Sequence, residues 1–377
     1  MARDAWVGVA AALAAVAAMA GVAAGGVLLL GAHHLGGPAG MTAALVALAV
    51  GGSVGLDAAP AGDLPFTVRG VVDVMPSGVS LAGAVVLGLL LAGRGRDGLP
   101  VRGAAAAVTF PAALAVVAWS ARGTLSLPRL GGTSGARPAC VESAPTGGGS
   151  FDVPGAAFSA GVGSTVLAAA VWVPVVVGVC WAASRFRVVG GVLKVSLWAM
   201  AALTVAGVLV GRVSGGAAVA GGVLLALPLV VFGVLSLGLG VPWSLRSDGA
   251  LACVDAGLPS VPMWVTCAVL LGLGVVAALG VRGGGPWRRA VVGAAWLASV
   301  VGVGSVVLAL LGRVSMGLGV HAFGFTFSVL EARLAADPVA AFGLGVVGGG
   351  VAGFAGGLLV DGFLRLASVS WPAWQDR

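Results

Sequence analysis

Ten apolar runs take up most of this sequence, at positions 6–31, 41–56, 74–93, 104–121, 156–183, 189–211, 216–240, 261–281, 290–312 and 339–360. Most approach the ~20 residues that a helix needs to cross a bilayer core. Hydrophobic residues make up 59% of the 377 positions and charged residues 9%. A soluble domain carries roughly 25% charge, so this chain cannot cover itself with a water-compatible surface. A β-barrel would need strands of ~10 residues alternating in and out, and runs such as AAALAAVAAMAGVAAGGVLLL do not alternate. The expected fold is all-α: a polytopic transmembrane helical bundle with 8–10 membrane segments in a single integral membrane domain over 1–377, in the cell membrane as a multi-pass protein. The first run is longer than the about 7–15 apolar residues of a signal peptide, and no soluble domain follows it, so a retained helix is expected.

The net charge of +7 is spread singly and in pairs. No basic domain offers itself to nucleic acid, whereas basic loops are what the positive-inside rule requires of a membrane protein. Three clusters stand out: Arg94, Arg96 and Arg102; Arg185, Arg187 and Lys194; Arg282, Arg288 and Arg289. If all ten runs span, the first and third clusters lie on opposite sides and the rule is violated once. Removing one crossing between them repairs it.

The run Gly216–Trp243 is the natural candidate, because Pro228 removes an intrahelical hydrogen bond and crowds the preceding turn. It is expected to divide near Leu227–Pro228 and re-enter, leaving Gly215 and Ser247 on the same side. The run 41–56 is short and interrupted at Gly51–Gly52. Making it re-entrant as well brings the N-terminus and all three clusters to the cytoplasmic side. Ten true spans with one rule-breaking loop is the alternative. An internal repeat relating 71–124 to 259–316 is suggested by two apolar spans joined by RGRDGLPVR and RGGGPWRR. Convergent loop chemistry accounts for that similarity equally well.

Several stretches carry a family resemblance: VGGSVGLDAAP with the downstream MPSGVSLAGAVVLGLLLAG, then LALPLVVFGVLSLGLGVPW, then LLGRVSMGLGV followed by AAFGLGVVGGGVAGFAGGLLV. In these the chain resembles the streptophobe family, polytopic membrane proteins of high-GC actinobacteria whose function is not established. The resemblance implies no catalytic or binding residues.

Candidate chemistry is sparse. Gly345, Gly349, Gly353 and Gly357 recur every four residues in the last run, a pattern that permits close helix–helix approach. The stripe drifts about 40° per step and suits a tilted crossing; the abundance of glycine in the chain is the competing explanation. The string Gly343-x-Gly345-x-x-Gly348 lies inside an apolar span, so a dinucleotide site is not expected. His33, His34 and His321 form no pattern that supplies three or four metal ligands. Trp6, Trp243, Trp264, Trp287, Trp371 and Trp374 sit at span ends, where tryptophan anchors to the head-group region. Cys180 and Cys267 lie in spans and are expected to be packed and inert. Cys140 and Cys253 lie in loops on the outer side, where they either pair or remain free thiols. Lys194 can snorkel to the interface.

No Asp or Glu falls deep in a span, which argues against proton relays of the kind carriers use. Neither Ser/His/Asp nor Cys/His arrangements can be assembled. The chain is therefore expected to have no enzymatic activity, no cofactor and no metal, with the lipid bilayer as its surroundings. The expected role is a structural or interaction membrane protein. The alternative is a small-molecule permease with a site at the broken segments 41–56 and 216–243, where freed backbone groups can bind substrate.

Overall fold

The computed structural model describes residues 2–34, 36–58, 66–93, 98–125, 155–249, 263–280, 285–322 and 325–369. All ten apolar runs contain helix: α1 (Ala2–Leu29), α2 (Pro38–Ala49), α3 (Ser77–Ala92), α4 (Leu99–Ser120), α5 (Val162–Arg185), α6 (Arg187–Ser214), α7 (Gly216–Gly238), α8 (Met263–Gly280), α9 (Pro286–Leu311) and α10 (Pro338–Val369). Helix is the only form in which one apolar segment satisfies all its own backbone groups in lipid. The chain is a multi-pass helical membrane protein, with eight helices long and apolar enough to span.

Seven strands occur among the described residues, five of them in segments expected to be loops. They are β1 (Val54–Ala58), β2 (Phe66–Asp73), β3 (Arg122–Leu125), β4 (Ala156–Ala160), β5 (Trp243–Gly249), β6 (Val314–Ala322) and β7 (Phe325–Ala336). β4 takes up the start of the run 156–183, so that helix begins only at Val162, and β1 begins inside the run 41–56. They form one antiparallel sheet in the order β3-β4-β1-β2-β6-β7-β5. Every strand abuts a helix end, so the sheet caps one end of the bundle, termed here the sheet end. The β2–β6 ladder, Phe66↔Ala322 to Asp73↔Ser315, joins the two halves of the chain.

Close contacts fix the path. α1 begins at the end opposite the sheet, where Arg102 Nε bonds Asp4 Oδ1 at 2.9 Å. α3 leaves the sheet end at Ser77, passes Met19 at Gly83 and reaches that opposite end, where its Leu91 carbonyl accepts from Arg102. At 16 residues it falls short of a standard span, yet its contacts run from one end of the bundle to the other. α4 returns, α5 leaves again and α6 returns.

α7 then behaves differently. Its contacts follow the sheet-side termini of its neighbours one after another. Gly221 packs on Leu29 and Leu30 at the end of α1. Leu229 bonds Ser77 at the start of α3. Leu229 and Phe232 meet Gly312 just past α9, and Gly238 abuts Thr266 in the first turn of α8. A helix of 23 residues is ~35 Å long, enough to cross, but α7 lies across the sheet end and joins the two halves. By these contacts α1, α3–α6 and α8–α10 run from one end of the bundle to the other. α7 is nonetheless among the eight helices long and apolar enough to span, and the shorter α3 is not.

Two expectations need correction. The run 216–243 does not divide near Leu227–Pro228: α7 is one continuous helix with Pro228 inside it. The run 41–56 is not one apolar hairpin. α2 ends at Ala49, and Val54–Ala58 is strand β1. α2 also stays at the sheet end, from Gly40 against the Arg122 carbonyl to Ala49 beside Ser80.

The N-terminal core is built from Met19, Leu87, Leu91, Phe110, Leu114 and Val173, with Phe110 stacked on Trp172. In the C-terminal half the last helix is wedged between two others. A Cβ on Gly349 would sit 2.8 Å from the Leu297 carbonyl, one on Gly353 2.8 Å from Ala294 Cα, and one on Gly357 2.6 Å from Ala290 Cα, all in α9. Gly345 meets Gly302 and Val301 of the same helix, while Gly356 faces Gly274 and Val275 of α8. Without side chains at these positions the backbones approach closely, and dispersion contact replaces the hydrophobic effect that lipid cannot supply.

Candidate functional site: the helix ends beneath the sheet

The two non-crossing helices end alike. After α2, Gly51 adopts φ +95°; its N–H donates to Leu48 O at 2.9 Å, and that of Gly52 to Ala47 O at 3.0 Å. After α7, Gly240 adopts φ +78°. Its N–H donates to Leu237 O at 2.9 Å, and that of Val241 to Ser236 O at 2.9 Å. Each is a Schellman ending with glycine at the left-handed position, where a Cβ would be strained. Each turns the chain from a helix axis into a strand, β1 or β5.

The hydrogen bonds that follow also match. Gly161 N–H, before α5, donates to Ser53 O at 2.9 Å; Asp337 N–H, before α10, donates to Pro242 O at 3.2 Å. A hydroxyl faces the last residue of each helix. Ser80 Oγ donates to Ala49 O, and Thr266 Oγ1 lies against Gly238, buried and without a hydrogen-bond partner. At the opposite end of the bundle, the fourth residue of α4 and of α9 is an ion-paired arginine, Arg102 buried and Arg289 half-buried. Arg102 pairs with Asp4, and Arg289 with Asp361, their side chains 5%, 35%, 19% and 14% exposed.

Around α2 the hydroxyls form a closed set. Ser53 Oγ and Ser164 Oγ lie 3.1 Å apart, and Thr165 Oγ1 donates to Gly161 O at 2.8 Å. Thr165 and Gly52 are in direct contact, leaving no room for a Cβ. The proline of α7 is accommodated in the same way. Pro228 has no N–H to give Leu224 O, and the Leu229 N–H beyond it donates to Ser77 Oγ at 2.9 Å. Gly78 lets α3 come directly against the Leu224 carbonyl. This local satisfaction is why a proline-bearing helix continues in an apolar setting.

The sequence alone does not mark these serines and threonines as a group. Their signal is a small polar first turn, PSGVS in α3 and GVGST in α5. The ion pairs had a signal too, an acidic residue at one span end and an arginine at another.

The candidate residues of the sequence lie apart. His33 and His34 occupy an exposed 3-10 turn (Ala32–His34) with ring centroids 3.9 Å apart, and His321 pairs with Thr67 and Thr326 in the sheet. Among the described residues, no three His, Cys, Asp or Glu side chains are grouped to hold a metal. Gly343, Gly345 and Gly348 lie inside α10, away from any strand–helix turn. Cys180 is half-buried in α5. Cys267 corrects an expectation: it is exposed on α8 rather than packed. Cys140, Cys253, Trp371 and Trp374 lie outside the described residues. Trp6, Trp264 and Trp287 are exposed, whereas the Trp243 indole N–H donates to Ser236 Oγ at 3.0 Å.

The arrangement can hold helix ends and exclude water. It sets no nucleophile against a base among the described residues. No family model matches this chain, and no curated protein or solved structure matches it.

Proposed function

We propose that this chain is a structural and interaction protein of the cell membrane, with no enzymatic chemistry, presenting its sheet on the outer side. The supporting observation is that the backbone groups released at the ends of α2 and at Pro228 are taken up inside the protein, by Ser80, Ser77 and the turns after Ala49 and Gly238. A substrate site at these breaks would need those groups free. The orientation follows from charge. Arg3, Arg102, Arg185, Arg187, Lys194, Arg288 and Arg289 belong to the end opposite the sheet, and the positive-inside rule makes that end cytoplasmic. Membership of the streptophobe family is part of the same proposal.

A second reading, a small-molecule permease, is favoured by a recurrence. Among the described residues, the order of crossing helix, helix lying across, strand, two crossings, two strands and a crossing describes α6–α10, and α1–α5 as well apart from one further strand, β2, after β1. The neighbours β3-β4-β1 recur as β6-β7-β5. We take these as tandem units, wider than the 71–124 and 259–316 spans that the sequence suggests. Repeats of this kind are common in transporters.

Water access separates the readings. Ser53→Cys and Ser77→Cys, each in a cysteine-free background, should react with a small maleimide in native membranes far more slowly than an exposed His33→Cys. Reaction of Ser53→Cys or Ser77→Cys at the His33→Cys rate would favour the permease.

A further inference from the structure

A cleft of about 450 Å³ opens between α1, α2 and α4 at the sheet end. Its walls include Ala24, Val27, Ala39, Ala43, Val46 and Val117, all apolar and mostly small. The two hydroxyls that reach it are already engaged, Thr42 with Pro38 O at 2.7 Å and Ser120 with Val117 O at 2.8 Å. The cleft therefore offers contact surface and no free hydrogen-bonding side chain. Its volume lies in the range of small-molecule sites, and its length follows the last third of α1.

The rim has a different chemistry. Ser120 ends α4, and two residues on stands Arg122, exposed at the start of β3 and without an ion-pair partner among the described residues. The Arg122 carbonyl packs on Gly40 in the first turn of α2, 2.6 Å from where a Cβ would lie. The exposed His33 and His34 precede α2 in the chain, His34 four residues before Pro38. No Asp or Glu occurs in α1 beyond Asp4, in the 3-10 turn, in α2 or in β3. Trp119, 65% exposed, marks the head-group level, where tryptophan is enriched. An apolar slot thus lies at tail depth beneath a cationic and hydrogen-bond-donating rim at head-group depth.

We propose that this cleft is a binding site for one phospholipid with an anionic head group, its acyl chain lying between α1, α2 and α4 and its phosphate meeting Arg122 and the histidine pair. In the second half α6, in the position of α1, packs far less on α9 than α1 does on α4. One site per chain is expected.

The experiment is native mass spectrometry of the full chain in a neutral detergent, titrated with phosphatidylglycerol or phosphatidylcholine. The unmodified protein should retain one phosphatidylglycerol and hold it more tightly than phosphatidylcholine. Ala39→Trp at the mouth should lower retention of both lipids about tenfold, as one chain's apolar contacts are lost. Arg122→Gln should remove the head-group preference while leaving a chain bound. Equal retention of the two lipids by the unmodified protein, or retention unchanged in Ala39→Trp, overturns the proposal. Should Ala39→Trp fail to fold, the unmodified protein can be cross-linked with phosphatidylglycerol carrying a diazirine on its chain. Label in peptides covering Ala20–Leu28 or Pro38–Val46 supports the site. Label spread evenly over the exposed helices, or concentrated at a contact with a second copy, refutes it.

Discussion

Ser77→Ala tests how a proline-bearing helix is held across the sheet end. The Ser77 hydroxyl receives the Leu229 N–H at 2.9 Å in a part-buried setting, and alanine removes the acceptor without adding bulk. An orphaned buried donor costs ~1–3 kcal/mol. Bonds between membrane helices average nearer ~0.6 kcal/mol in double-mutant cycles, so a loss of about 1–2 kcal/mol is expected. Pro228→Ala supplies the control. It restores the N–H that Leu224 O lacks and lets the turn relax, so Leu229 can return to its own helix. In that background Ser77→Ala should cost less than about 0.5 kcal/mol, giving a coupling of ~1 kcal/mol or more. The assay is reversible unfolding in mixed micelles by circular dichroism for the two single variants and the double variant. Additive losses would refute the idea that Ser77 compensates for Pro228.

Gly353→Leu forces α10 off Ala294 and should destabilise by about 1–3 kcal/mol or more, the cost of overpacking. Gly343→Leu in the same helix, where a Cβ meets nothing within 4 Å, should stay within about 0.5 kcal/mol. Thermal unfolding in detergent compares the two. Asp361→Asn leaves Arg289 unpaired in a part-buried setting, and a loss of about 1–3 kcal/mol is expected, below the cost of breaking a fully buried pair. Asp57→Asn, whose pair with Arg69 at 3.2 Å is 62–65% exposed, should cost under about 1 kcal/mol.

Hydropathy located all ten helices because lipid leaves an apolar segment few alternatives. It could not decide which of them cross. α3 crosses with 16 residues because Gly83 and Gly88 let it pack tightly on Met19 and Cys180, while the longer α7 does not cross. Between Arg187 and Arg282 the contacts leave α7 as the segment that does not run the length of the bundle, which is the odd number of non-crossing segments that the positive-inside rule asks for. The mechanism expected from Pro228 was wrong, because the fate of a proline depends on whether a neighbour such as Ser77 offers a partner.

The sheet was not read from the sequence at all, although FTVRGVVD does alternate in part. Its pairings, such as Val72↔Met316, join segments far apart in the chain. Short strands against a background of long apolar runs leave little local signal. The hydroxyls at the helix ends were illegible for a related reason: Ser53, Ser80, Ser164 and Thr165 become a set only when three helix ends converge.

If α7 lies across the sheet end without crossing and the sheet faces outward, the two ends of α7 are on the same, outer side. Ser214→Cys and Ser244→Cys flank α7 at exposed positions, and Arg288→Cys marks the opposite end. Each would be labelled in intact cells with an impermeant maleimide, in a cysteine-free background. The predicted result is labelling of Ser214→Cys and Ser244→Cys, with Arg288→Cys reacting only after permeabilisation. Labelling of only one of the two positions flanking α7 would make it a true span and contradict this topology.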